Sequence, residues 1–341
     1  VTTYVASDMC GAPANSTGFH APGGHFSVVL DLSKESSSTR LAGLRYFYKY
    51  GSDKVGWSSV RSFLAPKPTN PHAPMSIIVT ADMGETYEDG SQYHWEEPDA
   101  VNTTSGILKI GGDLIDIVMH PGDLAYATGY ESEWDRFMVQ IEPLASTTLY
   151  MTGQGNHERD YPNSGNSIGG YDSGGECGVP TQARFPNPVC SSPNVEPCVG
   201  SKEEVPMVEP SGGGPVGPQN DGWYSFDQGS VHFLMLNTEM SSTKGSRQYQ
   251  FVMNDLTKVD RTLTPWLLVF GHRQMYSGNF TTPQNGMGDL EPLLNEFKVD
   301  IAFWGHIHFA QCSCPMFQGE CITKKDAAGW NAPIHAVVGN A

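Results

Sequence analysis

Positive charge is scarce in this 341-residue chain: 20 Lys and Arg stand against 37 Asp and Glu, giving a net charge of −17 and a pI near 4.9. Nucleic-acid binding by bulk electrostatics needs a basic face, so that class of function is excluded. The same balance repels anionic substrates. Any phosphate site must take its positive field from local sources, of which bound metal ions are the obvious ones. No apolar run is long enough to span a bilayer, so no membrane role is expected. Cys-x-x-Cys pairs are missing, which argues against a zinc ribbon, and no internal repeat is evident. The first residue is Val, with no signal-peptide pattern before the folded region, and the chain stops just after a strand-like run at 334–341. The expectation is a segment of a precursor that extends beyond both ends.

Cysteine, by contrast, is present at seven positions: Cys10, Cys177, Cys190, Cys198, Cys312, Cys314 and Cys321. Four of them flank Gly/Pro/Ser-rich loops, as loop-stapling disulfides do, and the odd count leaves one thiol over. Sequons at Asn15, Asn102 and Asn279 permit N-glycosylation. Together with the acidic balance, these features suit a secreted, or vacuolar or lysosomal, glycoprotein reached through the secretory pathway.

The length allows a large core and more than one domain. Residues 1 to about 65 read as β structure, with strands at 26–32 and 44–50, a turn at 51–54 and a return strand at 57–63. A proline-rich linker follows at 65–71. Beyond Met75, apolar strand-length runs at 76–80, 115–119, 149–152, 266–270 and 299–304 alternate with longer segments. Helices are predicted at 133–141, 247–259 and 290–297, which makes this region an α/β layered fold. Residues 160–222 form a long Gly/Pro/Ser/Asn-rich loop region, and loops of that length are usually functional or disordered.

Each of the five runs ends in a block carrying a possible metal ligand. In order these are Ala81-Asp82-Met83-Gly84, Gly122-Asp123-Leu124-Ala125-Tyr126, Gly155-Asn156-His157-Glu158, Val269-Phe270-Gly271-His272 and Gly305-His306-Ile307-His308. The carboxyl ends of strands in open α/β sheets are where loops converge into ligand sites. Taken singly, each residue has an ordinary explanation. Asp82 is a turn aspartate, Tyr126 a core tyrosine, and His157 or His272 a structural histidine. Taken together they offer carboxylates, a phenol, an amide oxygen and imidazoles, a mixture suited to two metal ions of different hardness. One carboxylate can bridge two cations, and Asp123 is placed to do so. His306 and His308 are two apart on extended backbone, so both rings can enter one site.

These blocks resemble the motif set of the purple acid phosphatases within the metallophosphoesterase superfamily, over essentially all of residues 75–341. Asp8-Met9-Cys10-Gly11, Gly155-Asn156-His157-Glu158-Arg159-Asp160, Asp172-Ser173-Gly174-Gly175-Glu176-Cys177-Gly178-Val179-Pro180 and Val299-Asp300-Ile301-Ala302-Phe303 are most similar to the nucleotide pyrophosphatase/phosphodiesterase-like subgroup of the plant-type enzymes. The resemblance implies an α/β fold, a calcineurin-like β-sandwich flanked by helices. It implies two domains: residues 1–68 as part of an all-β fibronectin-type-III-like domain and 75–341 as the catalytic domain. It also implies a phosphoric ester hydrolase using Fe(III) plus a divalent zinc, manganese or iron ion. Asp82, Tyr126 and His308 would hold the ferric ion, Asp123 would bridge, and Asn156, His272 and His306 would complete the second site. His157 would contact the substrate phosphate while a metal-bound hydroxide attacks phosphorus in line. The substrate would be a small phosphate ester or a nucleotide.

Departures from the family pattern qualify that expectation. Ala81 replaces a glycine, a mild change that keeps the ligand. The histidine pair that protonates the leaving group in plant-type enzymes has no counterpart in residues 277–282, so a good leaving group such as a nucleoside phosphate is favoured. Ala310-Gln311-Cys312 stands where the family has Tyr-Glu-Arg. The resemblance pairs Cys314 with Cys321, and it puts the partner of Cys177 on a later strand where Leu234 stands, leaving Cys190 or Cys198 as the expected substitute. Tyr126 argues against a Ser/Thr protein phosphatase, which carries Asp-Arg-Gly there. The alternative that survives is a metal-binding, catalytically weak phosphoesterase-fold protein with a ligand-binding role.

Overall fold

The computed structural model describes residues 3–28, 30, 43–86, 99–188, 221–278, 282–323, 325–326 and 329–340. In the N-terminal part, β1 (Arg45–Tyr48) pairs antiparallel with β4 (Arg61–Leu64), and β2 (Gly51–Ser52) pairs with β3 (Gly56–Trp57) at the tip of the same hairpin. The expected return strand is therefore split in two. The expected strand at 26–32 does not form at its described residues, 26–28 and 30, where Phe26 and Val28 are exposed; residues 29, 31 and 32 lie outside the described set. β-prone side chains with no sheet to pair with do not make a strand.

Residues 3–20 are turns and one short helical turn packed on the later chain rather than β structure. Tyr4, Met9 and Ala14 are buried with Phe19, Val179 and Ala183, and Tyr4 Oη donates to Glu131 Oε1 at 2.7 Å. Cys10 is bonded to Cys177, which corrects the expectation that Cys190 or Cys198 would serve. The reason is local. Cys10 N donates to Gly175 O and Ala14 N to Gly174 O, so the segment runs alongside the loop that carries Cys177. Cys190 and Cys198 lie outside the described residues. Cys314 is bonded to Cys321 as expected, and Cys312 is free and exposed.

Two sheets form the rest. In the first, β5 (Ile77–Val79), β6 (Ile117–Pro121) and β7 (Leu149–Gly153) are all parallel, with α1 (Ala100–Ile110) and α2 (Glu131–Ala145) on one face. The short helices α3 (Asn156–Arg159) and α4 (Val179–Arg184) follow. The second sheet begins with β8 (Tyr224–Gln228) and β9 (Val231–Met235). After α5 (Arg247–Leu256) come β10 (Trp266–Gly271), α6 (Leu290–Glu296), β11 (Ile301–Trp304), β12 (Ala310–Phe317) and β13 (Glu320–Cys321). A separate two-stranded ribbon, β14 (Lys325–Asp326) and β15 (Gly329–Trp330), precedes β16 (Ile334–Val338). The order across this sheet is β13-β12-β16-β11-β10-β9-β8, with β9, β10, β11 and β16 parallel and β8 and β12 antiparallel at the flanks.

Alternation along the strands builds the layers. On β10, Leu267 and Val269 face α5 and α6, while Leu268 and Phe270 face the other sheet. On β6, Val118 faces α1 and α2, while Ile117 and Met119 face inward. Stacked rings of Phe226, Phe233, Phe270 and Phe303 run across four strands of the inner face. Helix–sheet–sheet–helix layering follows from both faces of each sheet being apolar. Helix α5 starts where expected because Ser246 caps it, accepting from Tyr249 N at 3.2 Å. Helix α1 escapes sequence reasoning because Thr and Gly are poor helix formers, and it is held by burial of Ala100, Thr104 and Ile107 on one stripe. The two sheets meet at the carboxyl ends of β5 and β16, where Ala81 bridges to Gly339. All five blocks gather at that end.

An ion cluster around the buried His232 ties β8, β9 and α5 together. His232 Nδ1 lies 2.6 Å from Asp227 Oδ1, and its Nε2 lies 2.9 Å from Asp255 Oδ2. Burial disfavours the His232 charge, but the two carboxylates outweigh it and raise its pKa to about 9. A folded-state value above the unfolded one stabilises fully below the unfolded pKa of about 6.5, and the effect is lost as pH climbs through the folded value. His232→Gln is therefore expected to cost about 2–3 kcal/mol at pH 6 and much less at pH 10. Urea midpoints measured from pH 6 to 10 check this; parallel curves for the two proteins would contradict it.

Candidate metal centre

The backbone at the strand ends is bent in a way few side chains tolerate. Asp82, Asp123, Tyr126 and His306 all have left-handed φ, at 55°, 50°, 52° and 70°. Each such residue costs on the order of 1–2 kcal/mol, and the return is that side chains leaving different strands point into one cleft. Glycines make the close approach possible. A Cβ on Gly155 would lie 2.2 Å from Asp123 Oδ1, and one on Gly305 would lie 2.6 Å from Asp82 Oδ2.

All seven predicted ligand positions and His157 lie in this cleft, in two groups. Tyr126 Oη is 2.8 Å from His308 Nε2 and 3.4 Å from Asp82 Oδ1, and His308 Nε2 is 3.7 Å from Asp82 Oδ1. In the other group, His272 Nε2 is 2.9 Å from Asn156 Oδ1 and 3.1 Å from Asp123 Oδ2. Asp123, His272 and His306 each offer a ligand atom, all within 4.8 Å of one another. The groups adjoin, since Asp82 Oδ1 is 3.9 Å from His272 Nε2. His157 donates its backbone N–H to Asp123 Oδ1 at 3.0 Å, and its ring lies against Tyr126 with centroids 4.3 Å apart.

The donor set fits a pair of ions. N and O ligands at about 2.0–2.2 Å from a common ion sit about 3–3.5 Å apart, close to the spacing in both groups. The atoms around His272 are acceptors crowding one point. Its Nδ1 faces Pro121 O at 3.2 Å, an arrangement that turns Nε2 toward Asn156 Oδ1 and Asp123 Oδ2. Metal-binding histidines are commonly fixed through their outer nitrogen in this way.

Electrostatics point the same way. Burial pushes the Asp82 carboxyl up, partly offset by His272. Burial also opposes ionisation of Asp123, but the positive charge of His272 and then His157 outweighs it and holds Asp123 well below the usual range. Burial disfavours charge on His272, yet Asp123 and Asp82 raise it to about 10. Burial, then the positive charge of His272 and Arg273, takes His306 down to about 3. The cleft demands positive charge at its centre, from protons or from metal.

Several residues that position this centre are not evident from the blocks. Glu158 accepts from the backbone N–H of Asp123 (2.8 Å), Leu124 (2.8 Å) and Gly155 (2.9 Å), pinning the second block to the third. Asp172 Oδ2 accepts from Asn156 Nδ2 at 3.0 Å, which turns the amide oxygen toward His272. Arg273 reaches Glu239, Asp160 and His306. Glu158 could have been suspected from its place in the third block; Asp172 and Arg273 have no sequence signal beyond adjacency.

Comparison with known proteins agrees with this architecture. The family model for calcineurin-like phosphoesterases matches residues 75–310. The protein named probable inactive purple acid phosphatase 27 of Arabidopsis thaliana is 36% identical over 359 residues, covering 99% of this chain and 52% of that protein. The nucleotide pyrophosphatase/phosphodiesterase of Hordeum vulgare is 33% identical over 296 residues, covering 84% of this chain and 73% of that protein. The solved structure of a purple acid phosphatase from yellow lupin (Lupinus luteus) seeds superposes with a TM-score of 0.78 at 34% identity, covering 99% of this chain and 56% of that one. The chain belongs to the calcineurin-like phosphoesterases, and within them it is similar to proteins named purple acid phosphatase and nucleotide pyrophosphatase/phosphodiesterase. It spans about half the length of the first of these relatives and of the lupin enzyme.

Glu158→Gln puts an amide NH2 against backbone N–H donors that now share two acceptor oxygens. The expected loss is about 2–3 kcal/mol of unfolding free energy. Urea titration at neutral pH checks it; a change below about 0.5 kcal/mol would mean that Glu158 does not pin the two blocks.

Proposed function

We propose that this chain is the catalytic portion of a binuclear-metal phosphatase that hydrolyses phosphate esters, with nucleotide pyrophosphate and phosphodiester bonds among its substrates. The observation that carries the reading is the convergence of two donor groups in one cleft, Asp82–Tyr126–His308 and Asn156–His272–His306, with Asp123 within reach of the second. The harder group, with its phenol, suits Fe(III), and the other suits divalent zinc, manganese or iron, with Asp123 as the bridge. When bound, such a pair supplies positive charge and the activation of water.

The chain's own side chains do the remaining work. With two carboxylates and a net charge of −17, the protein attracts a phosphate only where this charge is locally reversed. His157 stands beside Tyr126 and Asp123, from where its ring can donate to a phosphoryl oxygen. Residues 277–282 contain no histidine to protonate a leaving group, which favours leaving groups that depart unaided, such as a nucleoside phosphate. The reading extends to residues 75–341 as the catalytic domain. It also extends to a secretory-pathway location, which the Cys10–Cys177 and Cys314–Cys321 disulfides support.

A second reading is a metal-binding protein of low catalytic power. It is favoured by the same missing histidines and by the name of a relative, a probable inactive phosphatase. p-Nitrophenyl phosphate, a bis-ester and ATP, tested on the metal-loaded protein, separate the two.

Two variants test the first reading. Asp123→Asn is expected to lower metal content and to cut hydrolysis by more than the roughly 10- to 100-fold that losing an outer-shell partner costs. Full activity in that variant would contradict the bridge. Iron-loaded protein is expected to show a visible charge-transfer band that Tyr126→Phe removes; an iron-loaded wild type without colour would contradict the role of Tyr126.

A further inference from the structure

Asp172 stands where the buried donor groups of the cleft meet solvent. It is exposed, while Asn156, whose Nδ2 donates to Asp172 Oδ2 at 3.0 Å, is buried. The backbone beside it is fixed. Ser173 is fully buried and donates to Asp160 O through both its N, at 3.1 Å, and its Oγ, at 3.0 Å. Gly174 O and Gly175 O accept from Ala14 N and Cys10 N, and Cys10 is bonded to Cys177. Asp172 is therefore a held carboxylate rather than a loose surface acid.

Turning the amide of Asn156 does not need a charge. A neutral carbonyl accepts the same N–H, and an asparagine side chain of the same shape carries one. The charge is also left uncompensated. Among the described residues Asp172 forms no ion pair, whereas Asp160 and Glu239 share Arg273. A fixed negative charge beside Asn156 and His272 acts on any anion that enters the cleft. Its repulsion grows with the charge of that anion. A phosphomonoester dianion is opposed about twice as strongly as the singly charged group of a phosphodiester or an internal pyrophosphate linkage.

We infer that Asp172 is a charge filter, which disfavours doubly charged phosphate groups and directs the cleft toward singly charged linkages. This rests on the substrates proposed above and assigns the discrimination among them to one side chain. Repulsion that acts more on the wrong partner than on the right one is a general route to specificity.

Asp172→Asn tests it, because this variant keeps an oxygen for Asn156 Nδ2 and removes only the charge. The iron- and zinc-loaded whole chain is assayed at about pH 7.5 in low salt with p-nitrophenyl phosphate and bis(p-nitrophenyl) phosphate, which release the same leaving group. kcat/KM is expected to rise for both, and the monoester-to-diester ratio to rise by about 3- to 10-fold, the size of one charge acting through partly screened space. Added salt, at about 0.5 M, is expected to shrink that gain. Inorganic phosphate titrated by calorimetry into the same protein is expected to bind the variant at least about threefold more tightly. Metal content after dialysis is expected to match the wild type in Asp172→Asn and to fall in Asp172→Ala, which removes the acceptor as well. An unchanged monoester-to-diester ratio in Asp172→Asn would overturn the inference, as would an equal loss of both activities together with loss of metal, the mark of a purely structural role. If the wild type hydrolyses neither ester, the proposed function falls, and phosphate affinity then decides the inference: equal affinity in wild type and Asp172→Asn would overturn it.

Discussion

The central constraint on this protein is an excess of hydrogen-bond acceptors in a buried space. Two carboxylates, an amide oxygen, a phenol and three imidazoles face one another, the neighbouring donor atoms all within 4.8 Å, and Asp82, Asp123, Asn156 and His272 are all nearly inaccessible to water. Such a set is unstable without cations, since isolated charges in a low-dielectric interior cost several kcal/mol each. Much of the surrounding structure holds this arrangement in place. Four ligand positions sit in left-handed backbone, Glu158 fastens two blocks through three N–H groups, and glycines open the close contacts. The bridge between Ala81 and Gly339 brings the two sheets together where the blocks emerge.

This arrangement resolves the tension between a strongly acidic chain and an anionic substrate. A surface of net charge −17 gives no attraction for phosphate, so selectivity has to be local and depends on what the cleft holds. The positive groups already there are unevenly distributed. Arg273 serves Asp160, Glu239 and His306, while Asp82 has the His272 ring nearby and accepts from His306 N with both of its oxygens.

Much of the fold and of the candidate site was legible because both rest on local patterns. Apolar runs ending in glycine and a polar residue mark the carboxyl ends of parallel strands, and all five such blocks lie at one end of the sandwich. Helices α2, α5 and α6 follow their apolar periodicity, but α1 does not, because packing overrides poor propensity there. The segment at 26–32 reads as a strand by composition, yet its described residues have no partner strand. The Cys10–Cys177 link joins residues 167 positions apart, and no local rule predicts such a pairing. The roles of Asp172 and Arg273 depend on side-chain direction in the folded state, which sequence spacing does not encode.

The most direct test is anomalous X-ray diffraction from crystals of the iron- and zinc-loaded protein, with data collected at both absorption edges. The account predicts two peaks in the cleft: iron among Asp82, Tyr126 and His308, and zinc among Asn156, His272 and His306, with Asp123 between them. A map with no peak in the cleft, or with metal bound only elsewhere on the molecule, would contradict it.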